Sequence, residues 1–341
     1  MTTFHDILSK LAGGETLSES DAEFAVGELM SGEVDAAQGA AFLMAMRVRG
    51  ETVPEITGGA RALRSRMVGV KAPENAIDTC GTGGDAAGTY NISTAAAFVL
   101  AGSGVPVAKH GNRSVSSKSG SSDVLAALGV NLDAPLEATQ KAIKEAGIGF
   151  LFAPRHHGAM RHVAPVRQSL RLRTLFNLLG PLANPASVKH QVLGVYDEQW
   201  LMPIAHVLRE LGATSAWVVH GAGGLDELST TGENKIVVLH KDGTITEMTM
   251  SPEDVGLPRA KMKDLVGGDA AENAKVLLAV LEGAEGPYRD IVLLNAAAGL
   301  VVAGRTKGLG EGVEIAKTAI DAGHAKRALE ELIRITGETV G

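Results

Sequence analysis

The chain has 341 residues, 45% hydrophobic and 21% charged, with a formal net charge of -7; this describes a globular protein with a sizeable core and argues against nucleic acid as its main partner, since that binding is driven by phosphate neutralisation. A single cysteine, Cys80, excludes an intrachain disulfide, and no apolar run is long enough to span a bilayer. Met1–Asp6 shows no basic-then-apolar leader pattern, so the expectation is a cytoplasmic protein with no membrane partner.

Residues 3–67 read as four helices. Ser18 with Asp21 resembles a capping box, Gly32 stops that helix, Asp35 caps the next, and Thr52 with Pro54 and Glu55 opens the fourth. The helix over 35–49 carries Ala36, Ala37, Ala40, Phe42, Leu43, Met44, Ala45, Met46 and Val48, wider than one core stripe. Either a central buried helix or a subunit contact accounts for it. Lys71–Asn75 reads as a linker, and from there strands and helices alternate, which argues a mainly parallel sheet flanked by helices. Strands are expected at 76–80, 105–109, 148–152, 190–195 and 214–220, with a hairpin of 235–240 and 243–248 turning at Asp242-Gly243. Helices are expected at 121–129, 135–146, 164–178, 198–211, 269–283, 287–304, 310–322 and 323–336, and 177–185 reads as a loop through Gly180-Pro181 and Asn184-Pro185.

The chemistry concentrates in 78–123. Asp78-Thr79-Cys80-Gly81-Thr82-Gly83-Gly84-Asp85 is a strand emptying into a glycine loop, whose open N–H groups suit phosphate oxygens. Asn91 then caps a helix whose start offers a positive dipole end. The next strand empties into Lys109–Ser122, with the cations Lys109, Arg113 and Lys118 among serine donors. Two anion-binding loops at adjacent strand ends suit a ligand phosphorylated in more than one place. Gly81–Ala86 fits G-x-G-x-x-G/A by chance only: the helix opens too late, and Lys109 stands where a dinucleotide site wants an acid. His156, His157 and His162 have poor spacing for a shared metal; of Arg155, Arg161, Arg167, Arg171 and Arg173, one is expected to be functional, and pattern does not choose it. Asp226-Glu227 follows Gly221–Leu225 at another strand end; paired carboxylates there suit Mg²⁺ bound with phosphate, whereas a solvent-facing turn is the plain alternative.

These motifs, in this order over essentially the whole chain, resemble the anthranilate phosphoribosyltransferase family: Asp78–Asp85, Asn91–Thr94, Lys109–Gly120, Phe152-Ala153-Pro154 with His157, Val163–Arg167, Phe176–Pro185 and Leu225–Leu228. The resemblance implies an α/β fold of the nucleoside phosphorylase/phosphoribosyltransferase type. A small N-terminal all-helical domain, 1–70 joined by a segment near 164–183, would be hinged to a large α/β domain, 71–341, with a mainly parallel central sheet. It implies transfer of phosphoribose from phosphoribosyl pyrophosphate to the amine of anthranilate, in tryptophan biosynthesis, by a homodimer using two Mg²⁺ per subunit. Gly81, Gly84, Asp85, Thr89, Asn91, Ile92, Ser93, Thr94, Lys109, His110, Gly111, Asn112, Arg113, Ser114, Val115, Ser116, Ser117 and Ser121 would bind the donor. Gly81, His110, Asn112, His157 and Arg167 would line the anthranilate site, with Arg167 on the carboxylate, and Ser93, Asp226 and Glu227 would hold the metal. Neutral aniline nitrogen needs no strong base, so no catalytic residue is implied beyond positioning and electrostatics. The chain departs from the family's pattern at Gly158, where proline is usual, and at Ser114 and Ser122, where alanine is. A pyrimidine nucleoside phosphorylase would carry a Lys-His-Ser-Thr-Gly-Gly loop instead, and a nucleic-acid-binding relative would be basic; this chain is neither.

Overall fold

The computed structural model describes residues 2–85, 87–113 and 119–338. Four helices open it: α1 (Phe4–Ala12), α2 (Glu19–Ser31), α3 (Ala36–Arg49) and α4 (Val53–Arg64). Their caps are those read from sequence. Ser18 Oγ accepts from Asp21 N–H, Asp35 accepts from the N–H groups of Ala37 and Gln38, Gly32 takes φ +85° to end α2, and Glu55 reaches back to Thr52 N–H at 2.8 Å. Then β1 (Ile77–Gly81), α5 (Ile92–Gly102), β2 (Val107–Gly111), α6 (Ser121–Ala127), α7 (Leu136–Glu145) and β3 (Ile148–Phe152) follow. The short α8 (Ala153–His156), α9 (Ala164–Leu170) and α10 (Leu175–Leu182) lead to β4 (His190–Gly194), α11 (Leu201–Glu210) and β5 (Ser215–His220). The hairpin β6 (Asn234–Leu239) and β7 (Ile245–Met250) precedes α12 (Ala270–Leu281), α13 (Pro287–Val302), α14 (Leu309–Asp321) and α15 (His324–Gly337).

Among the described residues, seven strands form one sheet in the order β3-β2-β1-β4-β5-β6-β7. Pairing is parallel from β3 to β5 and antiparallel in β5-β6-β7. The chain runs outward from β1 through β2 to β3 and then returns to the other side of β1 as β4. The crevice between the carboxyl ends of β1 and β4 is therefore a topological switch point, where open α/β sheets bind ligands. Alternate side chains serve opposite faces: Val192, Trp217 and Val219 join a core built from α5 and α12–α15, whereas Leu193, Ala216 and Val218 join a second core. That second core is continuous with Ile7, Phe42, Ile56 and Leu63 of the first four helices and with Val166, Phe176 and Leu179.

Three expectations are corrected. A single helix over 164–178 is instead two: Arg171 turns left-handed at φ +51°, and Thr174 starts α10 with its N–H on Asn177 Oδ1 at 3.0 Å. α10 then runs to Leu182 through Pro181, so 177–185 is mostly helix rather than loop. Pro181 has no N–H to give the Asn177 carbonyl, and α10 ends one residue later at Leu182. Arg64 Nε donates to the Leu182 carbonyl at 2.7 Å and Nη1 to that of Leu211 at 3.2 Å, closing the C-terminal ends of α10 and α11. The reading of α3 as a central buried helix also fails. It buries Gly39, Phe42, Leu43 and Met46 but leaves Ala37, Ala41 and Val48 exposed.

Candidate active site

Three glycines at strand ends make the site possible. Gly81 and Gly194 are register partners at the carboxyl ends of β1 and β4, and Gly221 follows β5. A Cβ on Gly194 would lie 1.6 Å from the Asp226 carbonyl oxygen, one on Gly81 2.1 Å from Asp226 Oδ2, and one on Gly221 2.2 Å from the Glu227 carbonyl oxygen. The loop from Gly221 to Ser229 therefore folds back across the strand ends, in contact with bare backbone. Asp226 Oδ2 accepts from Gly83 N–H at 2.6 Å, which ties the acidic loop to the glycine loop.

Asp226 and Glu227 are not the exposed turn carboxylates expected of a glycine-rich loop. Asp226 is 9% exposed and Glu227 half-buried. Burial, then the Asp85 and Glu227 charges, push the Asp226 carboxyl well above the carboxylate range. Burial raises Glu227 to about 7 against the opposing pull of Lys109 and Ser93. Carboxyls held out of water in this way neutralise by taking up protons, unless a bound cation holds them ionised. Among the described residues no three His, Cys, Asp or Glu side chains form a cage of their own. Two adjacent carboxylates suit Mg²⁺, which takes one or two carboxylates and completes its shell with phosphate and water.

The start of α5 completes this side. Asn91 occupies the cap position but does not cap: its Oδ1 accepts from Asn273 Nδ2 at 3.0 Å instead. Ile92 N–H turns back to the Tyr90 carbonyl at 2.8 Å, and Glu227 Oε1 takes the N–H of Ser93 at 3.2 Å. Ile92 and Thr94 are buried beneath, Thr79 Oγ1 donates to the Ser93 carbonyl at 3.2 Å, and Thr89 bridges to Val266. Asp85 Oδ1 accepts from Ala87 N–H at 3.2 Å within the glycine loop. Gly84 there, at φ +76°, presents its carbonyl to Arg173, whose guanidinium lies 4.0 Å over the Tyr196 ring.

At the end of β2, Lys109 is 2% exposed and Nζ donates to the Thr79 carbonyl at 2.5 Å, with Asp78 and Glu227 as charge neighbours. Asp78 is fully buried and accepts from His110 N–H at 3.1 Å and from Asn184 Nδ2 at 2.8 Å. The basic loop closes at its base through Ser121 Oγ to the Asn112 carbonyl at 3.4 Å, over Gly111, where a Cβ would meet Ser121 Oγ at 2.3 Å. Arg113 reaches 6.0 Å over Phe152. Ser114, Val115, Ser116, Ser117 and Lys118 lie outside the described residues.

The third wall is the segment around α9 and α10. His110 and His157 are both buried, with Nε2 atoms 3.2 Å apart, so one donates and the other accepts. Burial and the neighbouring ring hold His110 down at about 3; burial and His156 hold His157 at about 4. Both are neutral at pH 7. His156 instead turns to the Val68 carbonyl at 2.8 Å and His162 to Arg161, so the three histidines diverge. Arg167 on α9 is half-buried, 5.7 Å over Phe176, with no acidic partner among the described residues. Burial lowers its pKa. Gly158 faces open space.

This arrangement has relatives. The chain matches the glycosyl transferase family models for a helical bundle domain over residues 5–67 and an a/b domain over 73–326. It is 56% identical over 340 residues to an anthranilate phosphoribosyltransferase of Azospirillum brasilense, covering 100% of this chain and 95% of that one. The chain belongs to the anthranilate phosphoribosyltransferase family. The enzyme of that name from Thermus thermophilus superposes with a TM-score of 0.93 at 46% identity, over 98% of this chain and 100% of the other. The Saccharomyces cerevisiae enzyme, solved in complex with PRPP and Mg, superposes with a TM-score of 0.90 at 29% identity, over 98% and 97%. The family's α/β fold with an N-terminal helical bundle is the fold described above.

Sequence reasoning missed several parts of this site. Gly194 and Tyr196 carry no motif of their own, Arg173 was one of five arginines that pattern did not rank, and Asn184 lay within Phe176–Pro185 with no role assigned; their parts depend on which strands become neighbours. A lone Asn295 inside the apolar run 291–302 was a legible signal, since a buried amide needs partners.

Proposed function

We propose that the chain transfers the 5-phosphoribosyl group of phosphoribosyl pyrophosphate to the amine of anthranilate, releasing pyrophosphate, as a step of tryptophan biosynthesis. The observation that carries this is the pair of buried carboxyl groups, Asp226 and Glu227, laid over bare glycines at the switch point, with Glu227 on the first turn of α5. Asp226, Glu227 and Ser93 would hold Mg²⁺, two ions per subunit. When bound, the metal supplies charge neutralisation for the departing pyrophosphate.

In this reading the N–H groups of the glycine loop and of α5 bind donor phosphate, along with the basic loop from Lys109 to Ser121. Lys109 also orients the strand ends through Thr79. Positive charge gathers on the sugar as its C1–oxygen bond to pyrophosphate breaks, and the amine enters from the opposite face with inversion. The Arg167 guanidinium, without an acidic partner among the described residues, takes the anthranilate carboxylate as a fork. His110 and His157, neutral and bonded to each other, offer a polar wall without a competing charge. Positioning two substrates in line supplies much of the rate. The helical unit, 1–70 with 164–183, closes on the rest of 71–341 to exclude water, and the exposed face of α3 pairs two subunits in a homodimer.

The test is anthranilate fluorescence. Loss of signal is expected only when donor and Mg²⁺ are both present. Loss that ignores the donor, or phosphorolysis of a pyrimidine nucleoside with no anthranilate consumption, overturns the reading.

A further inference from the structure

We propose that Asn295, in the middle of α13, is the positioning residue of the acidic loop: its side-chain amide clamps Leu228 and thereby aims Glu227 and Asp226. The inference rests on the divalent-ion reading of those two carboxylates. Asn295 is the one polar residue in Ile291–Val302 and is 3% exposed. Its Nδ2 donates to the Leu228 carbonyl at 2.8 Å and to the Ile291 carbonyl at 2.9 Å, and its Oδ1 accepts from Leu228 N–H at 3.0 Å. Only one orientation of the amide makes all three bonds. Both backbone groups of the residue after Glu227 are thus held by one side chain of a rigid, buried helix.

The same helix holds the opposite wall. Tyr288 lies seven residues earlier, on the same face of α13. Its hydroxyl donates to the Asn91 carbonyl at 3.2 Å, at the mouth of α5. α13 therefore fixes both partners of the bond from Ser93 N–H to Glu227 Oε1. Neither Asn295 nor Tyr288 needs to touch substrate for this. A purely structural amide would leave the carboxylates equally well aimed after its removal, at the cost of stability alone. A clamp predicts that the aim is lost first, because the loop rests on glycines that offer no side chain to hold it.

The experiment measures Mn²⁺ bound in the presence of phosphoribosyl pyrophosphate, by electron paramagnetic resonance, on the full chain. The variants are Asn295→Ala, Asn295→Ser in case alanine fails to fold, and Leu294→Ala as a buried neighbour whose apolar side chain makes no hydrogen bond to the loop. Asn295→Ala is expected to weaken Mn²⁺ binding by roughly tenfold, while the KM for anthranilate stays near the parent's. Leu294→Ala is expected to lower Tm and leave Mn²⁺ binding unchanged. A folded Asn295 variant with parental Mn²⁺ affinity overturns the proposal, and so does an equal Mn²⁺ loss in Leu294→Ala. If the parent itself binds no Mn²⁺ with the donor, or Asp226→Asn with Glu227→Gln binds it equally well, the divalent-ion reading falls and the proposal falls with it.

Discussion

Replacing Gly194 by alanine adds one methyl group at the point where the acidic loop crosses the sheet. The added Cβ would stand 1.6 Å from the Asp226 carbonyl oxygen and 2.2 Å from its carbonyl carbon. Real Cβ contacts essentially never fall below 3.0 Å, so the loop must retreat by about 1.4 Å. The obstacle is backbone, which cannot swing aside as a side chain can. Gly194 is not among the glycines at positive φ, so alanine strains nothing in its own conformation. Overpacking of this kind costs about 1–3 kcal/mol of stability, which a domain of this size survives. A misplacement of about 1 Å at a catalytic centre costs on the order of 100-fold in rate. Gly194→Ala is therefore expected to remain folded, lose about 100-fold in kcat/KM and need more Mg²⁺ for half-maximal activity. Anthranilate affinity should be spared, since Arg167 is held by α9 and α10. Circular dichroism and the anthranilate fluorescence assay read both sides. A folded variant with parental turnover and an unchanged Mg²⁺ titration would refute the packing argument.

Arg167→Ala is expected to raise the KM for anthranilate by the loss of a charge-assisted bond, roughly 1.5–3 kcal/mol, with donor affinity by calorimetry unchanged; an equal fall in donor affinity would move Arg167 elsewhere. His110 and His157 titrate in the folded chain at about 3 and about 4, below the ordinary 6.5. Their contribution to stability is therefore full above pH 6.5 and is lost as pH falls from there towards 4, by roughly 1–2 kcal/mol for each ring between pH 7 and pH 5. Urea midpoints at those two pH values should show a smaller drop in His157→Asn than in the parent. Light scattering is expected to give a dimer for the parent and a monomer for Ala41→Glu, because Ala41 lies on the exposed face of α3; a contact surface confined to residues 190–341 would contradict this.

What the sequence made legible were features set by neighbours along the chain. The caps at Ser18, Asp35 and Thr52, the turn at Asp242-Gly243 and strand β3 are local, and each stands within a residue or so of its expected place. The glycine loop after β1 was visible for the same reason. What stayed hidden depended on contacts between distant segments. Asn91 is a good cap by composition, yet Asn273, far along the chain, takes its side chain and leaves the helix start to Glu227. Arg171 gave no sign of the left-handed turn that splits α9 from α10, because only glycine and asparagine advertise that conformation. Asp226 and Glu227 looked solvated on a glycine-rich loop. Their burial follows from the pairing of β1 with β4, which sets Gly81 beside Gly194 and lets the loop lie flat across both.

The most direct measurement is a Mg²⁺ titration of initial rate for the parent and for Asp226→Asn combined with Glu227→Gln, at saturating donor and anthranilate. Both changes keep size and shape while removing charge. Relief of the buried like charges means the unliganded variant should melt no lower than the parent. The account predicts a parent activated by Mg²⁺ and a folded variant whose turnover has collapsed and no longer responds to the ion. A folded variant with parental turnover and the same Mg²⁺ dependence would contradict it.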